Sequence, residues 1–299
     1  MMKYVLTIDR MDYFPNVDLE KEDYESIKKA MHALNIGLSI EEKYDILISN
    51  YSEFEMEILR QATQLMICLP LSYDDFFESR IGFDRKLVNL LTAARLYMYG
   101  LSTHVNKIVE GIAKDDIDAL RSEQYDSSME YRFMEALRNH VQHYGLPVHN
   151  VQYNPSTQGF DKERKLIYSM ELSSKKIFLR EDDDFKEKVL KEIPEVIDLK
   201  LFTRIYIERI SKVHSAIREI VSNTLQESRS LIEKTINSYQ KLYPDKILGL
   251  YLLCIEGEEE IEKTLLMLDW DNVGLKLIRR NPELIDLRIK YVSGEVMTD

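Results

Sequence analysis

The sequence predicts a mainly α-helical protein, and three observations lead to that fold class. Pro and Gly are scarce for a chain of 299 residues, with 7 and 10 copies, which favours long helices over a turn-rich sandwich. Apolar residues recur at three- and four-residue steps along much of the chain, which is the spacing of one helix face. Between Glu195 and Tyr243 there is neither Gly nor Pro, which predicts one very long helix or two in tandem.

The first half of the chain is expected to form one strand followed by helices. Lys3–Ile8 is a short run with β-leaning residues and predicts a strand. Gly37 separates two apolar-periodic stretches and is expected to end the first helix. The predicted helices are Tyr24–Leu34, Ile40–Leu69 (either continuous or broken near Ser49-Asn50), Phe76–Ile112, Asp115–Gln124 and Tyr131–Tyr144.

The second half is expected to open with a small β-hairpin and then return to helices. His149–Phe160 is interpreted as a loop, and Leu166–Leu172 with Lys176–Leu179 as the two strands of the hairpin. A closing strand is expected at Ile285–Val292. The predicted helices are Phe185–Ile193, Glu195–Tyr243, Lys246–Cys254, Glu258–Leu268 and Asn272–Ile278.

These elements suggest three regions. Residues 1–150 would form a helical domain, residues 151–182 a hairpin or loop insertion, and residues 183–299 a C-terminal helical region packed on the same bundle or separate from it. The predicted architecture is therefore a helical bundle with a small β-hairpin insertion and additional C-terminal helices.

Charge and cysteine content narrow the class of protein. The net charge of −12 argues against nucleic-acid binding by the whole surface but allows a local basic patch. Cys68 and Cys254 lie in apolar stretches, which predicts two buried thiols rather than a disulfide or a metal site. Since no uninterrupted apolar run approaches the roughly 20 residues of a membrane span, we expect a cytoplasmic protein without a membrane segment.

Polar chemistry is concentrated at the end of one predicted helix, in the segment Tyr131–His149. Side chains at 126–128 can cap the start of this helix, and Gly145 followed by Pro147 ends it. The apolar face carries Phe133, Met134, Leu137 and Val141. The polar residues, which a purely solubilising face rarely carries, are Arg138, Asn139, His140, Gln142 and His143.

Arg138 and His143 are separated by four residues, but this spacing alone is a weak signal. Arg209 and His214 repeat it on the long C-terminal helix. On a straight helix Arg138 and His143 would point roughly 140° apart and lie about 7.5 Å apart along the axis, which converges poorly on one phosphate. Two copies of the helix packed across a two-fold axis would place two arginines and two histidines around one cleft.

The context of the motif is more specific than its spacing. The sequence LRNHVQHYGLPVH, preceded by the long run NLLTAARLYMYGLSTHVNKIVEG, resembles the HEPN superfamily, whose members are helical and often act as metal-independent endoribonucleases. That family's motif is Arg, four to six residues and then His, with Asn, Asp or His favoured directly after the Arg. Arg138, Asn139 and His143 meet it, whereas Arg209 is followed by Ile210 and does not. The resemblance covers about residues 40–145.

The resemblance implies a homodimer that cleaves RNA through the motif helix and needs no metal or other cofactor. His143 would exchange a proton with the 2′-hydroxyl or the 5′-leaving oxygen, and Arg138 would hold the phosphate. Asn139, one turn before His143, would fix the imidazole ring. The product would be a 2′,3′-cyclic phosphate. Family analogy further suggests a toxin or an antiviral defence effector, with an antitoxin or a sensor protein as a partner.

Substrate contacts are expected from His140 and from the basic hairpin. His140 is equally well interpreted as a substrate contact or as a packing residue. Residues 161–180 carry a local charge of +3, and Lys162, Arg164 and Lys165 are the candidate phosphate contacts. Residues 200–218 carry +4, which fits either a steering surface or a solvated helix face. The acidic runs at 181–184 and 256–260 are interpreted as solvated edges.

A second function class stays open at this point. The motif helix could serve a non-catalytic helical module as its interface with RNA or with a partner protein. Arg138 would then pair with Glu135 or another carboxylate, and His143 would belong to an interface rather than to an active site.

Overall fold

The computed structural model describes residues 2–8, 15–68, 72–111, 114–158, 164–243, 249–290 and 292. Over these residues the protein is mainly helical, as the composition predicted, and it also contains two small antiparallel sheets. The chain forms two compact units, each assembled from three segments. Unit 1 comprises residues 1–43, 100–116 and 216–282, and unit 2 comprises residues 44–99, 117–215 and 283–299.

Helix α1 spans Lys21–Ile67 without interruption, so the predicted stop at Gly37 was wrong. Glycine is present there for packing rather than for termination. A Cβ built on Gly37 would lie 3.0 Å from Leu225 Cδ1, closer than real Cβ contacts normally come, so the missing side chain lets Leu225 pack directly on the helix backbone.

The predicted helix at 76–112 is divided into two. Helix α2 spans Tyr73–Met98 and begins with a capping box between Ser72 and Asp75. Helix α3 spans Leu101–Ile108 and follows Gly100, whose φ of 73° lies in the left-handed region that glycine adopts without strain. Helices α4, Lys114–Ser127, and α5, Met129–His143, follow as predicted.

The predicted hairpin is present but is built from other residues. Strand β3 spans Asn150–Gln158, where a loop was expected, and pairs antiparallel with β4, Lys165–Lys175. Lys176–Leu179, expected to be a strand, is the short helix α6. Pro155 suggested a loop, but β3 is the edge strand of this sheet, where a residue without an N–H is tolerated.

The long C-terminal helix is a single element. After the short helix α7, Glu187–Glu192, strand β5 at Val196–Asp198 pairs with the end of β4. Helix α8 then spans Leu199–Leu242. The helix therefore begins at Leu199 rather than at Glu195, because the residues between them include this short strand.

The segments predicted as helices at 246–254 and 258–268 are strands. Strands β6, Leu250–Glu256, and β7, Glu259–Leu266, form an antiparallel pair joined at Gly257, and β6 also pairs with β1, Met2–Ile8. Helix α9, Asp269–Arg280, is as expected. The predicted closing strand at 285–292 is absent from its described residues, which include a short 3-10 helix at Leu287–Ile289.

Unit 1 has a four-stranded sheet as its β-layer. The strand order is β2-β1-β6-β7, in which β2 is Val17–Leu19. The inner face of this sheet packs on residues of α1 and α8 that belong to the same unit. This core includes Leu6, Ile8, Tyr24, Ile27, Ile232, Tyr239, Leu250 and Leu252.

Unit 2 carries the motif helix and the three-stranded sheet β3-β4-β5. Its helical core takes buried side chains from α1, α2, α5 and α8, including Phe54, Phe83, Leu87, Leu90, Phe133, Leu137 and Ile207. Phe133 on α5 meets Phe202 on α8 edge to face, with ring centroids 5.2 Å apart. Burial of this apolar face fixes which side of α5 is turned towards solvent.

Two further sequence predictions concern membranes and cysteines. No helix among the described residues is both long and apolar enough to cross a bilayer. Cys254 is buried, as predicted, but Cys68 is exposed at the end of α1, so the prediction that both thiols are buried was wrong for Cys68.

Candidate functional site

Helix α5 positions the motif through its cap and its apolar face. The Ser128 hydroxyl accepts a hydrogen bond from the Tyr131 N–H at 3.1 Å and so defines the first turn. Phe133, Met134 and Leu137 are fully buried and orient the helix. The last turn therefore has one side against the core and one side towards solvent, as its sequence pattern predicted.

Arg138 lies on the inner side of α5. Its side chain is buried, with Nη2 3.4 Å from Glu135 Oε2 and donating to Asn139 Oδ1 at 2.9 Å. Glu135 Oε1 accepts the hydroxyl hydrogen of Tyr206 at 2.6 Å, and burial raises the pKa of that phenol well above its usual value. Arg138 Nε is buried without a hydrogen-bond partner among the described residues. The guanidinium is thus part of a buried polar network.

Asn139 and His143 lie on the outer side of the same helix. Both are exposed, and they are one turn apart. With His140 and Lys186 they border a shallow pocket of about 30 Å³, which Asp182, Asp184, Ala136 and Phe185 also line. The pocket is far too small to enclose a nucleotide, so a substrate would lie mostly outside it.

The structure therefore does not bring Arg138 and His143 together on one surface of a single chain. They point to different sides of α5, in accordance with the angle expected from their spacing. Their connection is indirect, because the Arg138 guanidinium donates to Asn139, and Asn139 borders the same pocket as His143. The three motif residues form one chain of neighbours that begins in the core and ends at the surface.

His140 is buried beside the exposed motif residues. Its Nδ1 is 2.7 Å from Asp182 Oδ2, and both side chains are almost inaccessible to solvent. The ring meets Tyr144 and Phe185 at centroid distances of 5.3 and 5.9 Å. Asp182 was expected on a solvated acidic edge, and that interpretation was wrong, because the His140 contact buries it.

A second buried polar group lies behind the end of α5. Asp84 Oδ1 accepts the Val148 N–H at 2.9 Å. Burial raises the pKa of the Asp84 carboxyl to about 6, although the Val148 N–H and the Arg80 cation oppose this shift. Burial also lowers the pKa of His149 to about 4, with smaller contributions from His140 and Arg80. His149 is therefore neutral near pH 7.

Basic residues of the 161–180 stretch are distant from this helix end, occupied, or outside the described residues. Lys162 lies outside the described residues. Arg164 and Lys165 are exposed at the far end of the hairpin, and Lys165 is ten residues, or about 33 Å of strand, from Lys175, whose N–H donates to His149. Lys176 is buried, and its ammonium donates to the Ile193 carbonyl oxygen.

The basic side chains between residues 200 and 218 of α8 bind other groups of the protein and do not form a free cationic surface. Each of its five cations has a partner: Lys200 bonds the Met170 carbonyl, Arg204 pairs with Glu55, Arg209 donates to Gln124, Lys212 pairs with Glu123, and Arg218 pairs with Glu41.

The second Arg-x4-His match has a structural role as well. His214 is buried, its Nδ1 is 2.8 Å from the Tyr97 hydroxyl, and its ring stacks on Tyr44 with centroids 3.6 Å apart. Arg209 instead bonds Gln124. His214 therefore lies in the helical core, Arg209 is half-buried, and neither residue lines the pocket at the end of α5.

A larger pocket, of about 400 Å³, lies between the end of α1 and the start of α2. None of the motif residues lines it. Polar side chains that line it are joined by a series of hydrogen bonds. Gln61 donates to Glu57 at 2.9 Å and accepts from Ser79 at 3.0 Å, and the Ser79 and Tyr153 hydroxyls are 2.9 Å apart. These side chains therefore already have hydrogen-bond partners in one another. The larger pocket is thus not where the candidate reactive residues lie, and we place the candidate site at α5.

Among the described residues, no three His, Cys, Asp or Glu side chains are grouped as ligands for a metal ion. Comparison with protein-family models, with curated proteins and with solved structures found no match to this chain. The residues around α5 therefore remain the basis for inferring a function.

Proposed function

We propose that the protein is an endoribonuclease of HEPN type that cleaves RNA without a metal ion, leaving a 2′,3′-cyclic phosphate. One observation carries the proposal. Asn139 accepts a hydrogen bond from the Arg138 guanidinium and shares an exposed turn, and a pocket, with His143. The three residues that match the family motif are thereby connected, although they face different sides of the helix.

Each motif residue has a role that its position allows. His143 is exposed, and its imidazole can act as a general acid or base. Asn139 can hold that ring or a ribose hydroxyl. In this arrangement Arg138 does not grip a phosphate directly, because it does not line the pocket and its guanidinium donates to Asn139. It instead polarises Asn139 and contributes a positive charge beneath the surface where charge develops in the transition state.

The small size of the pocket favours assembly from two copies of the chain. A pocket of about 30 Å³ does not exclude water from a reacting phosphate. A second α5 packed across a two-fold axis would close the cleft and would add a second histidine. A homodimer through the motif helix is therefore part of the proposal. An antitoxin or a sensor protein covering the same surface would act as its regulator, in a toxin or antiviral role.

The test is cleavage of end-labelled RNA by the pure protein in EDTA. We expect His143→Ala to lower the rate by about 10²- to 10⁴-fold and Arg138→Ala to lower it as well. His32→Ala is the matched control, because His32 is exposed on α1, whereas His214 is a core residue. Equal cleavage by all four proteins, or none by the wild type, would contradict the proposal.

The burial of Arg138 supports a second candidate, a non-catalytic helical module that binds RNA or a protein through the end of α5. Its guanidinium lies against Glu135, as expected of a structural ion pair. Size-exclusion chromatography with light scattering separates the two candidates. If Arg138→Ala and His143→Ala both dissociate an otherwise stable dimer, the motif is an interface. If mass and helicity are unchanged while cleavage is lost, it is a catalytic site.

A further inference from the structure

His140 is held in a fixed orientation on α5. Nδ1 is 2.7 Å from Asp182 Oδ2, and Tyr144 and Phe185 pack around the ring. An ionised carboxylate can only accept hydrogen bonds, so the Nδ1 atom carries the hydrogen and donates it to Asp182. In the neutral ring this leaves the lone pair on Nε2, the atom on the other side of the imidazole.

Asp182 is itself fixed by the turn in which it lies. Its Oδ1 accepts the Asp184 N–H at 3.0 Å, and its backbone carbonyl accepts the Phe185 N–H at 3.0 Å. One carboxylate oxygen therefore stabilises the turn, and the other orients His140. A buried carboxylate that orients a histidine in this way also stabilises the ring when it gains a proton.

Gly145 lacks a side chain at the position next to His140 Nε2. A Cβ built on Gly145 would lie 3.2 Å from Nε2 and 3.6 Å from Cε1. Gly145 does not adopt the left-handed backbone that would require glycine, since the described glycines with positive φ lie elsewhere. Because Gly145 has no side chain, no methyl group from this position packs against Nε2.

We infer that His140 is a second acid–base group of this protein, a general base, and that Asp182 is its positioning residue. The inference rests on the proposed ribonuclease function and deepens it. His140 and His143 are three residues apart on one helix, so their side chains are neighbours, and both border the pocket at the end of α5. One chain would then supply both the base and the acid of the reaction.

The proton balance of the step follows from these positions. His140 Nε2 takes the proton of the 2′-hydroxyl, and the 2′-oxygen forms a bond to phosphorus. The bond between phosphorus and the 5′-oxygen breaks, and protonated His143 gives its proton to that oxygen. The products are a 2′,3′-cyclic phosphate and a 5′-hydroxyl end, and the two histidines regain their starting states by exchanging protons with water.

The experiment separates base from acid by changing the leaving group. RNA with sulfur in place of one 5′-bridging oxygen releases a thiolate, which needs no proton because a thiol is far more acidic than an alcohol. Rates are measured against pH on both RNAs in EDTA. The proteins compared are the wild type, His143→Ala, His140→Ala, Asp182→Asn and Gly145→Ala, with Gly274→Ala as a matched glycine control whose new Cβ meets Leu38 only at 3.7 Å.

On ordinary RNA we expect His140→Ala and His143→Ala each to be slower by about 10²- to 10⁴-fold. Sulfur should restore His143→Ala to within about 10-fold of the wild type and leave His140→Ala slow. On the sulfur RNA the wild-type rate should rise with pH to a plateau, which His140→Ala should lose. A merely structural role would lower the rate at every pH and keep that plateau.

Two further variants keep the test decisive if His140→Ala does not fold, which far-UV circular dichroism checks. Asp182→Asn should move the midpoint of the rise to lower pH, because the negative charge that favours the protonated ring is gone. Gly145→Ala should slow cleavage while Gly274→Ala does not. If the wild type cleaves and these variants keep its profile, the inference is overturned and the proposed function stands. If the wild type cleaves neither RNA, both are overturned.

Discussion

Replacing Asp84 by Asn should make the protein more stable at neutral pH, which is unusual for a buried charged residue that makes a hydrogen bond. Asp84 Oδ1 accepts the Val148 N–H and so anchors the segment that follows α5, next to Gly145. The other oxygen, Oδ2, is buried without a hydrogen-bond partner among the described residues. Asn keeps the acceptor and the shape and removes the ionisation.

The magnitude follows from the pKa, which burial raises from its usual 3.8 to about 6. At about 1.36 kcal/mol per pKa unit, ionising Asp84 in the folded protein costs about 3 kcal/mol at pH 8. The pKa of Asp84 is higher in the folded protein than in the unfolded chain. The stability that Asp84 contributes is therefore fully present below about pH 4, where it is protonated, and is lost as the pH rises through about 6. At pH 4.5 the cost is only about 1 kcal/mol.

The assay is urea unfolding of the wild type and Asp84→Asn at pH 4.5 and pH 8. Far-UV circular dichroism is the right probe, since Trp270, the single tryptophan, lies in unit 1 and Asp84 in unit 2. Asp183→Asn, at an exposed position, is the matched control. We expect the variant's advantage to be about 2 kcal/mol larger at pH 8 than at pH 4.5. The same difference at both pH values would refute the reasoning.

Three further predictions concern the same unit. His149→Asn should have the opposite pH dependence, because the pKa of His149 is about 4 in the folded protein and near 6.5 in the unfolded chain. The wild type should lose up to about 3 kcal/mol of unfolding free energy as the pH falls through 4, and the variant, in the same urea titration, should not. Arg138→Ala should cost about 1–3 kcal/mol, and a double-mutant cycle with Glu135→Gln should give a coupling energy above zero; an additive cycle would show that the pair contributes nothing. His214→Ala should lower stability by about 2–4 kcal/mol through loss of its stacking on Tyr44, while cleavage per folded molecule, measured on the soluble fraction, stays at the wild-type rate.

Elements whose signals are local could be predicted from the sequence. α5 has its N-cap at Ser128 and its breaker at Gly145 within twenty residues, and α8 has an apolar stripe uninterrupted by Gly or Pro. In both cases the hydrogen bonds that define the element join residues four apart, so the chain segment carries its own information.

Elements whose partners are distant could not. β6 is as apolar as a buried helix, and only pairing with β1, more than 240 residues away, makes it a strand. Gly37 is a second case in which a distant contact overrides the local pattern. A glycine inside an apolar pattern predicts a helix end, but the contact with Leu225 lets α1 continue through it.

The candidate site divides in the same way. The sequence by itself determined the motif helix, its apolar face and the angle that turns Arg138 inwards and His143 outwards, because helix periodicity sets side-chain direction. Only the tertiary structure decided that Asp182, from an acidic run beyond the hairpin, orients His140. That pairing joins residues 42 positions apart, and a contact of this kind depends on how α5 and the following turn pack, which no local pattern encodes.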